Sequence, residues 1–201
     1  MSPGGRVRAP CDVAHSPAMK RTTGGGTIVR PGRPGDETAI AAIYNEGIAD
    51  RIATFETEPR TPEQVAGWVG ERSRRFPVTV AERQGRVVAW AAASEYRPRS
   101  CYEGVAEFSV YAARDARGTG AGRAALAGLI DACEAAGFWK LVSRIFPENT
   151  ASRALCRGLG FREVGTYQRH GRLDGRWRDT VIVERLLGEA LRETEADSDV
   201  P

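Results

Sequence analysis

Hydrophobic and polar positions along the middle of the chain repeat with two periods, and the switches between them mark its elements. A first apolar run, TIVR at 27–30, reads as a strand and breaks at PGRPGD. Ile40, Ile43, Tyr44 and Ile48 then recur at the spacing of one buried helix face. IATFETEPR keeps neither period and reads as a loop. TPEQ opens a second helix, with Thr61 as N-cap, Pro62 at the first helical position and Gln64 in capping-box position. VTVAE and RVVAWAAAS around a Gln-Gly turn predict a hairpin, and VAEFSVYA a further strand. A helix runs from the glycine cluster near Gly120 to about Ala136, where Gly137 stops it. Then come a strand (WKLVSRI), a helix opened by Asn149 and closed by Gly160, and two strands around Tyr167 and Val181 joined by a Leu-Asp-Gly turn. The order β-α-α-β-β-β-α-β-α-β-β predicts an α/β domain with a mixed sheet.

The two ends depart from this patterning. Residues 1–26 are rich in Gly, Pro, Ser and Arg and end in GGG, so a disordered arm is expected there; the acidic stretch 188–201 is expected to be a disordered tail. One folded domain is expected over 27–187. The formal charge of +3 divides into +3 on the arm, −4 on the tail and +4 on the domain, too small a surplus for a dedicated nucleic-acid binder. Among the 29 cations only Lys20 and Lys140 are lysine, so a lone arginine carries little information. The longest uninterrupted apolar stretch is Val87–Ala93, far short of the roughly 20 residues of a membrane span, and MSPGGRVRAPCDVAHSPAMK lacks the apolar segment of a secretion signal. Cys11, Cys101, Cys133 and Cys156 form no CxxC pair, and neither these nor His15 and His170 make a metal-ligand constellation. The expectation is a soluble cytoplasmic protein with no metal and no membrane partner.

VYAARDARGTGAGRAAL places Gly118, Gly120 and Gly122, with Arg117 and Arg123, between a strand and a helix. Glycine lets the backbone approach a ligand closely, and the helix start adds partial positive charge, which suits a phosphate or pyrophosphate. A glycine-rich connection that only turns a corner is the structural alternative. A P-loop needs Lys then Ser/Thr after its last glycine, and Gly122 is followed by Arg123 and Ala124. A dinucleotide fingerprint fits poorly. Seven residues separate Ala112 from Gly120, and Arg144 and Ile145 stand where an acid is needed.

The remaining pattern, Arg117-x-x-Gly120-x-Gly122 after a strand, together with ENTASRALCRGLGF, resembles the GNAT N-acetyltransferases. The resemblance spans about 27–187. It implies a GNAT fold, with a mixed, mostly antiparallel central sheet flanked by helices, and acetyl-CoA as cosubstrate. It implies that Val110, Tyr111 and Ala112 offer backbone groups to the pantetheine arm. Arg117 and the amides of Gly118, Thr119, Gly120, Ala121, Gly122 and Arg123 would hold the pyrophosphate. Asn149 would contact the cofactor, and it also makes an ordinary N-cap.

IYNEGIADRIATFETEPRTPEQ, YRPRSCYEGVAEFSVY and GRLDGRWRD are similar to the phosphinothricin and arsinothricin N-acetyltransferase branch. That similarity implies Glu107 as general base, Arg99 and Tyr102 at the amino-acid substrate, Phe55 in the substrate loop, and Arg97 and Trp177 as further wall residues. It also implies a homodimer and a small amine substrate such as phosphinothricin, arsinothricin or methionine sulfoximine, in detoxification or resistance. Rival readings are a GNAT module that binds acyl-CoA without catalysis, a GNAT enzyme for another amine such as protein lysine, and a nucleic-acid-binding module.

The chemistry sets clear demands. An alkylammonium has no free lone pair, so an acetyltransferase must supply and orient the free amine. Strand alternation puts Glu107, Ser109 and Tyr111 on one face, and partial burial of Glu107 is expected to raise its pKa to a useful value. An N–H near Val110 could meet the negative oxygen that develops during acyl transfer. The resemblance puts the family's thiolate-protonating position at Cys156, but a buried small residue is the safer reading of a free cysteine, so the acid is left unassigned.

Overall fold

A computed structural model describes residues 21–23, 26–70 and 75–192. Eight strands form one sheet: β1 (Arg21–Thr23), β2 (Thr27–Pro31), β3 (Val78–Arg83), β4 (Arg86–Glu95), β5 (Val105–Ala112), β6 (Lys140–Ile145), β7 (Arg162–Leu173) and β8 (Arg176–Leu186). Their order is β1-β2-β3-β4-β5-β6-β8-β7, and every neighbouring pair is antiparallel except β5 with β6. The helices are α1 (Glu37–Ala49), α2 (Pro62–Val69), α3 (Ala121–Ala135) and α4 (Thr150–Gly158). Each expected element is present. Both tight hairpins turn through a pair of left-handed residues, Gln84-Gly85 and Asp174-Gly175, which matches the twist of their strands.

Two boundaries differ from expectation. Arg21–Thr23 pairs antiparallel with β2, so the arm expected to be disordered through residue 26 contributes an edge strand. The adjacent Thr22 and Thr23 are β-branched and suited to a pleated edge. Beyond buried Leu187, whose N–H donates to Trp139 O at 2.9 Å, residues 188–192 are helical rather than the start of a disordered tail. The rest of the arm, with Cys11 and His15, and residues 193–201 lie outside the described residues.

Alternation in the strands builds two layers. Val78, Val80 and Trp90 point to the α1/α2 side, where they meet Ile40, Ile43, Val65 and Val69, while Thr79 and Val29 meet α3. The β2–α1 connection is pinned by a buried ion pair. Arg30 Nη1 and Nη2 donate to Asp36 at 2.7 and 2.8 Å, Arg30 Nε donates to Glu82 at 2.8 Å, and the Arg33 N–H donates to Asp36 at 2.9 Å. Burial pushes the Asp36 carboxyl up, but its hydrogen bonds outweigh burial and hold it below the usual carboxylate range.

Helix α2 starts as its capping box dictates. The Gln64 N–H donates to Thr61 Oγ1 at 3.4 Å, and the Thr61 N–H donates to Gln64 Oε1 at 3.0 Å. With eight residues the helix has few bonds of its own, so Thr61→Ala is expected to lower stability by about 1 kcal/mol. A urea midpoint unchanged by the substitution would contradict a role for the cap.

Candidate active site

The parallel ladder between β5 and β6 covers only Val105–Glu107 against Lys140–Val142. Beyond Glu107 the two strands separate, while β5 stays paired with β4 as far as Ala112. The Ala113 N–H donates to Val88 O at 2.9 Å. Antiparallel alternation then turns the backbone groups of Tyr111, Ser109 and Glu107 toward β4, and those of Ala112, Val110 and Phe108 toward the gap. Two of these outward carbonyls have side-chain partners: Ser143 Oγ donates to Phe108 O at 2.8 Å and Arg117 Nε to Ala112 O at 3.3 Å. The N–H groups of Val110 and Ala112 lie on the open edge. The expected backbone role therefore fits Val110 and Ala112 but not Tyr111, whose ring instead forms a wall of the cleft.

That cleft, of about 370 Å³, is lined by Ile52, Val110, Tyr111, Ala112, Leu155, the glycine turn and the start of α4. Gly118 and Gly120 have φ of 73° and 86°, which disfavours side chains, and a Cβ at either would meet nothing within 4 Å. Gly120 is the N-cap of α3, and the Ala124 N–H makes the first bond back to Gly120 O. The amides of Ala121, Gly122 and Arg123 thus have no intrahelical acceptor. An open turn, free first-turn N–H groups and an apolar channel beside them fit the diphosphate and arm of acetyl-CoA.

The side chains of the turn do not all face this cleft. Gly118, Gly120, Gly122, Arg117, Arg123 and Asn149 line it. Thr119 and Ala121 do not: Ala121 is buried in the core, and Thr119 is held from behind by Arg83 Nη1 and Nη2, which donate to its Oγ1 and O at 2.8 and 2.9 Å. Those two can contribute only through backbone. Arg117 pairs with Asp50 at 2.7 Å, and Arg114 pairs with the same carboxylate at 2.6 Å. These hydrogen bonds, Arg114's first, hold Asp50 below the usual carboxylate range. Arg123 lines the cleft with no ion pair among the described residues, which makes it the available cation. Asn149 caps α4 by accepting the Ser152 N–H at 3.1 Å, and its Nδ2 donates to Ile52 O at 3.2 Å across the cleft.

A second cleft, of about 640 Å³, adjoins the first and shares Ala53 and Tyr111 with it. Glu107 lies here with Phe55, Ser109, Ser143, Arg144 and His170. Phe55 packs edge-on against Phe146 at 4.8 Å and lies so close to Gly171 that a Cβ there would stand 2.7 Å from its ring. Glu107 is partly buried, as expected, and has a charged partner that the sequence did not reveal. It is ion-paired with Arg144, whose Nε and Nη2 both donate to Oε1, the former at 3.2 Å. Those bonds hold the Arg144 guanidinium above its ordinary value, against the effect of burial.

The other proposed substrate residues lie elsewhere. Arg97, Arg99 and Tyr102 line a different cleft, with Arg75, Glu95 and Glu103, and none of them lines the cleft of Glu107. Trp177 is exposed on the β7–β8 hairpin, with the Arg172 guanidinium 4.2 Å above its ring. Arg144, Ser143, Ser109 and His170 line the cleft of Glu107 and were not among the expected site residues. His170 is exposed and stands at the cleft beside Tyr167. Strand alternation from Glu107 to Ser109, and Arg144 two residues past the parallel partner of Glu107, were the only signals available.

Cys156 resolves as a core residue. It is 1% exposed and does not line the cofactor cleft, and burial, with Glu163 adding, pushes its thiol up to about 12. Burial likewise raises Tyr111 well above the ordinary phenol value. Neither side chain is tuned to donate a proton. Cys156→Ala is expected to leave kcat within about twofold, whereas loss of a general acid costs about 100-fold or more; a fall of that size in a folded variant would restore Cys156 to the mechanism.

Among the described residues no three His, Cys, Asp or Glu gather as a metal site, and no helix is long and apolar enough to cross a membrane. A profile of the acetyltransferase (GNAT) family matches residues 40–161. Over 161 residues the chain is 39% identical to a phosphinothricin N-acetyltransferase of Alcaligenes faecalis, covering 79% of this chain and 82% of that one. It is 32% identical to an L-methionine sulfoximine/L-methionine sulfone acetyltransferase of Pseudomonas paraeruginosa, covering 79% and 94%. The crystal structure of a GNAT superfamily phosphinothricin acetyltransferase from Sinorhizobium meliloti in complex with AcCoA matches the fold with a TM-score of 0.75 and 33% identity, over 83% of this chain and 91% of that one. Matched in sequence over most of its length and in the sheet that opens the cofactor cleft, the chain belongs to the GNAT family of acetyl-CoA-dependent N-acetyltransferases.

Proposed function

We propose that the protein acetylates the α-amino group of a small amino-acid analogue of the phosphinothricin, arsinothricin or methionine sulfoximine type. The observation that carries this reading is the position of Glu107, in a cleft that shares the walls Ala53 and Tyr111 with the proposed cofactor cleft. Acetyl-CoA supplies an activated acetyl thioester. Gly118 to Arg123 hold its diphosphate, and the open edge of Val110 and Ala112 aligns its arm. Glu107 accepts the proton that the acceptor's nitrogen must shed, and the Val110 N–H faces the reacting carbonyl.

Room for the acceptor's side chain supports the substrate class. A chamber of about 230 Å³ continues from the Glu107 cleft through shared Tyr44 and Ser109, and it is lined by Trp68, Phe76, Trp90 and Ser94. The buried Trp90 Nε1–H has no acceptor among the described residues. A largely aromatic chamber with serine hydroxyls at its wall suits a short alkyl chain that ends in a polar group. The names of the relatives point to the same chemistry.

The test is mass-spectrometric detection of acetylated product from phosphinothricin, arsinothricin, methionine sulfoximine, methionine sulfone, ordinary amino acids and lysine-containing peptides. Turnover concentrated in the first four supports the proposal, and turnover only of lysine-containing peptides overturns it. A homodimer, a cytoplasmic location and a part in resistance belong to the same proposal through the branch resemblance. Light scattering of the purified protein decides the first, fractionation of expressing cells the second, and growth of those cells on phosphinothricin the third.

A further inference from the structure

We infer that Arg144 receives the α-carboxylate of the acceptor, and that this carboxylate frees Glu107 for proton transfer by drawing the guanidinium away from it. The inference rests on the proposal that the acceptor is an α-amino acid.

Glu107 is the acid placed to take a proton, yet two N–H groups of Arg144 occupy its Oε1. An ammonium that approaches Glu107 therefore meets an oxygen already occupied by the N–H groups of another cation and must compete with it. The pair is local and reversible. Arg144 and Glu107 side chains are 44% and 26% exposed, so solvent and ligand reach both. The guanidinium spends Nε and Nη2 on Glu107, and its Nη1 has no partner among the described residues. A fork with one free tine can bind a second carboxylate bidentately as it releases the first.

Geometry makes an amino acid the natural trigger. Val142, the parallel partner of Glu107, and Arg144 alternate onto the same face of the sheet where the strands part. In an α-amino acid the nitrogen and the carboxylate oxygens are about 3 Å apart. An amine hydrogen-bonded to Glu107 therefore brings its own carboxylate to the guanidinium beside it. The other acid in the cleft, Glu56, is neutralised by Arg60 at 2.8 Å and does not repel the incoming anion. Arg97 and Arg99 line another cleft and are not in competition. In the exchange, Arg144 passes from Glu107 to the substrate carboxylate, and one proton passes from the substrate nitrogen to Glu107. An amine with no carboxylate leaves the Glu107–Arg144 pair closed, so the pair also selects the substrate.

The test compares methionine sulfone with its carboxamide, which differ only in the charge beside the amine. Wild-type enzyme is expected to prefer the acid. Arg144→Gln is expected to lower kcat/KM for the acid about 10- to 100-fold, mostly through KM, the range for a lost charge-assisted hydrogen bond, while not lowering that for the carboxamide. Arg144→Lys keeps the charge without the fork and is expected to recover part of the loss. Thermal melting of both variants checks their fold. If Arg144→Gln lowers acid and carboxamide equally, or lowers neither, the role of Arg144 is wrong while the substrate class stands. If wild-type enzyme acetylates no carboxylate-bearing amine but acetylates others, the substrate class and this inference fall together.

Discussion

Glu107→Gln is expected to lower kcat about 100- to 10,000-fold while leaving the affinity for acetyl-CoA within about twofold. Glutamine fills the same volume and hydrogen-bonds Arg144 through its oxygen, but it does not take a proton from an ammonium. The side chain lies in the acceptor cleft and not in the cleft of the glycine turn, so cofactor binding has no reason to change. Stability has little reason to change either, since the ion pair is partly exposed and pairs of that kind contribute about 1 kcal/mol or less. Calorimetric titration with acetyl-CoA and timed mass spectrometry of the product separate the two readouts. A variant of wild-type turnover across the pH range would remove Glu107 as the base.

Gly120→Val is expected to weaken acetyl-CoA binding about 10- to 100-fold. At φ of 86° a β-branched residue is strained, so the loop must relax and take its N–H groups out of alignment. The new side chain would also enter open space on the cleft wall, where the diphosphate is expected. The amide of Gly120 heads the unsatisfied first turn of α3, so the damage falls on the groups that bind anion most directly. The same strain costs about 1–3 kcal/mol of stability, and the binding measurement belongs well below the variant's melting point. Unchanged affinity in a folded variant would move the diphosphate away from this turn.

What the sequence disclosed, and what it did not, follows from the range of the forces involved. The helix starting at Thr61 and the stop at Gly137 depend on residues within one turn, and both were legible. Gly118 and Gly120 were legible as turn glycines because their backbone conformation is a local property. Three features depend on residues distant in the chain and were not. The ion pair of Glu107 joins strands 37 residues apart, so its partner Arg144 was not legible. The hold of Arg83 on the Thr119 side chain, from 36 residues away, was not legible either. Arg97 and Arg99 looked like an anion pocket through their spacing beside a proline, yet they face a cleft apart from Glu107. Cys156 was ambiguous because its helix face is fixed by what packs against it, and the core claimed it. The edge strand Arg21–Thr23 was hidden for the same reason: pairing to β2, not any pattern of its own, orders it.

β5 and β6 part after Glu107, and in the proposed function acetyl-CoA enters that gap with its diphosphate on α3 and its thioester beside the cleft of Glu107. A crystal structure of the protein with coenzyme A bound measures this directly. The diphosphate is expected against the N–H groups between Gly118 and Arg123, with the sulfur where the two clefts meet at Ala53 and Tyr111. A coenzyme seated away from the glycine turn, or with its sulfur remote from Glu107, would contradict the account.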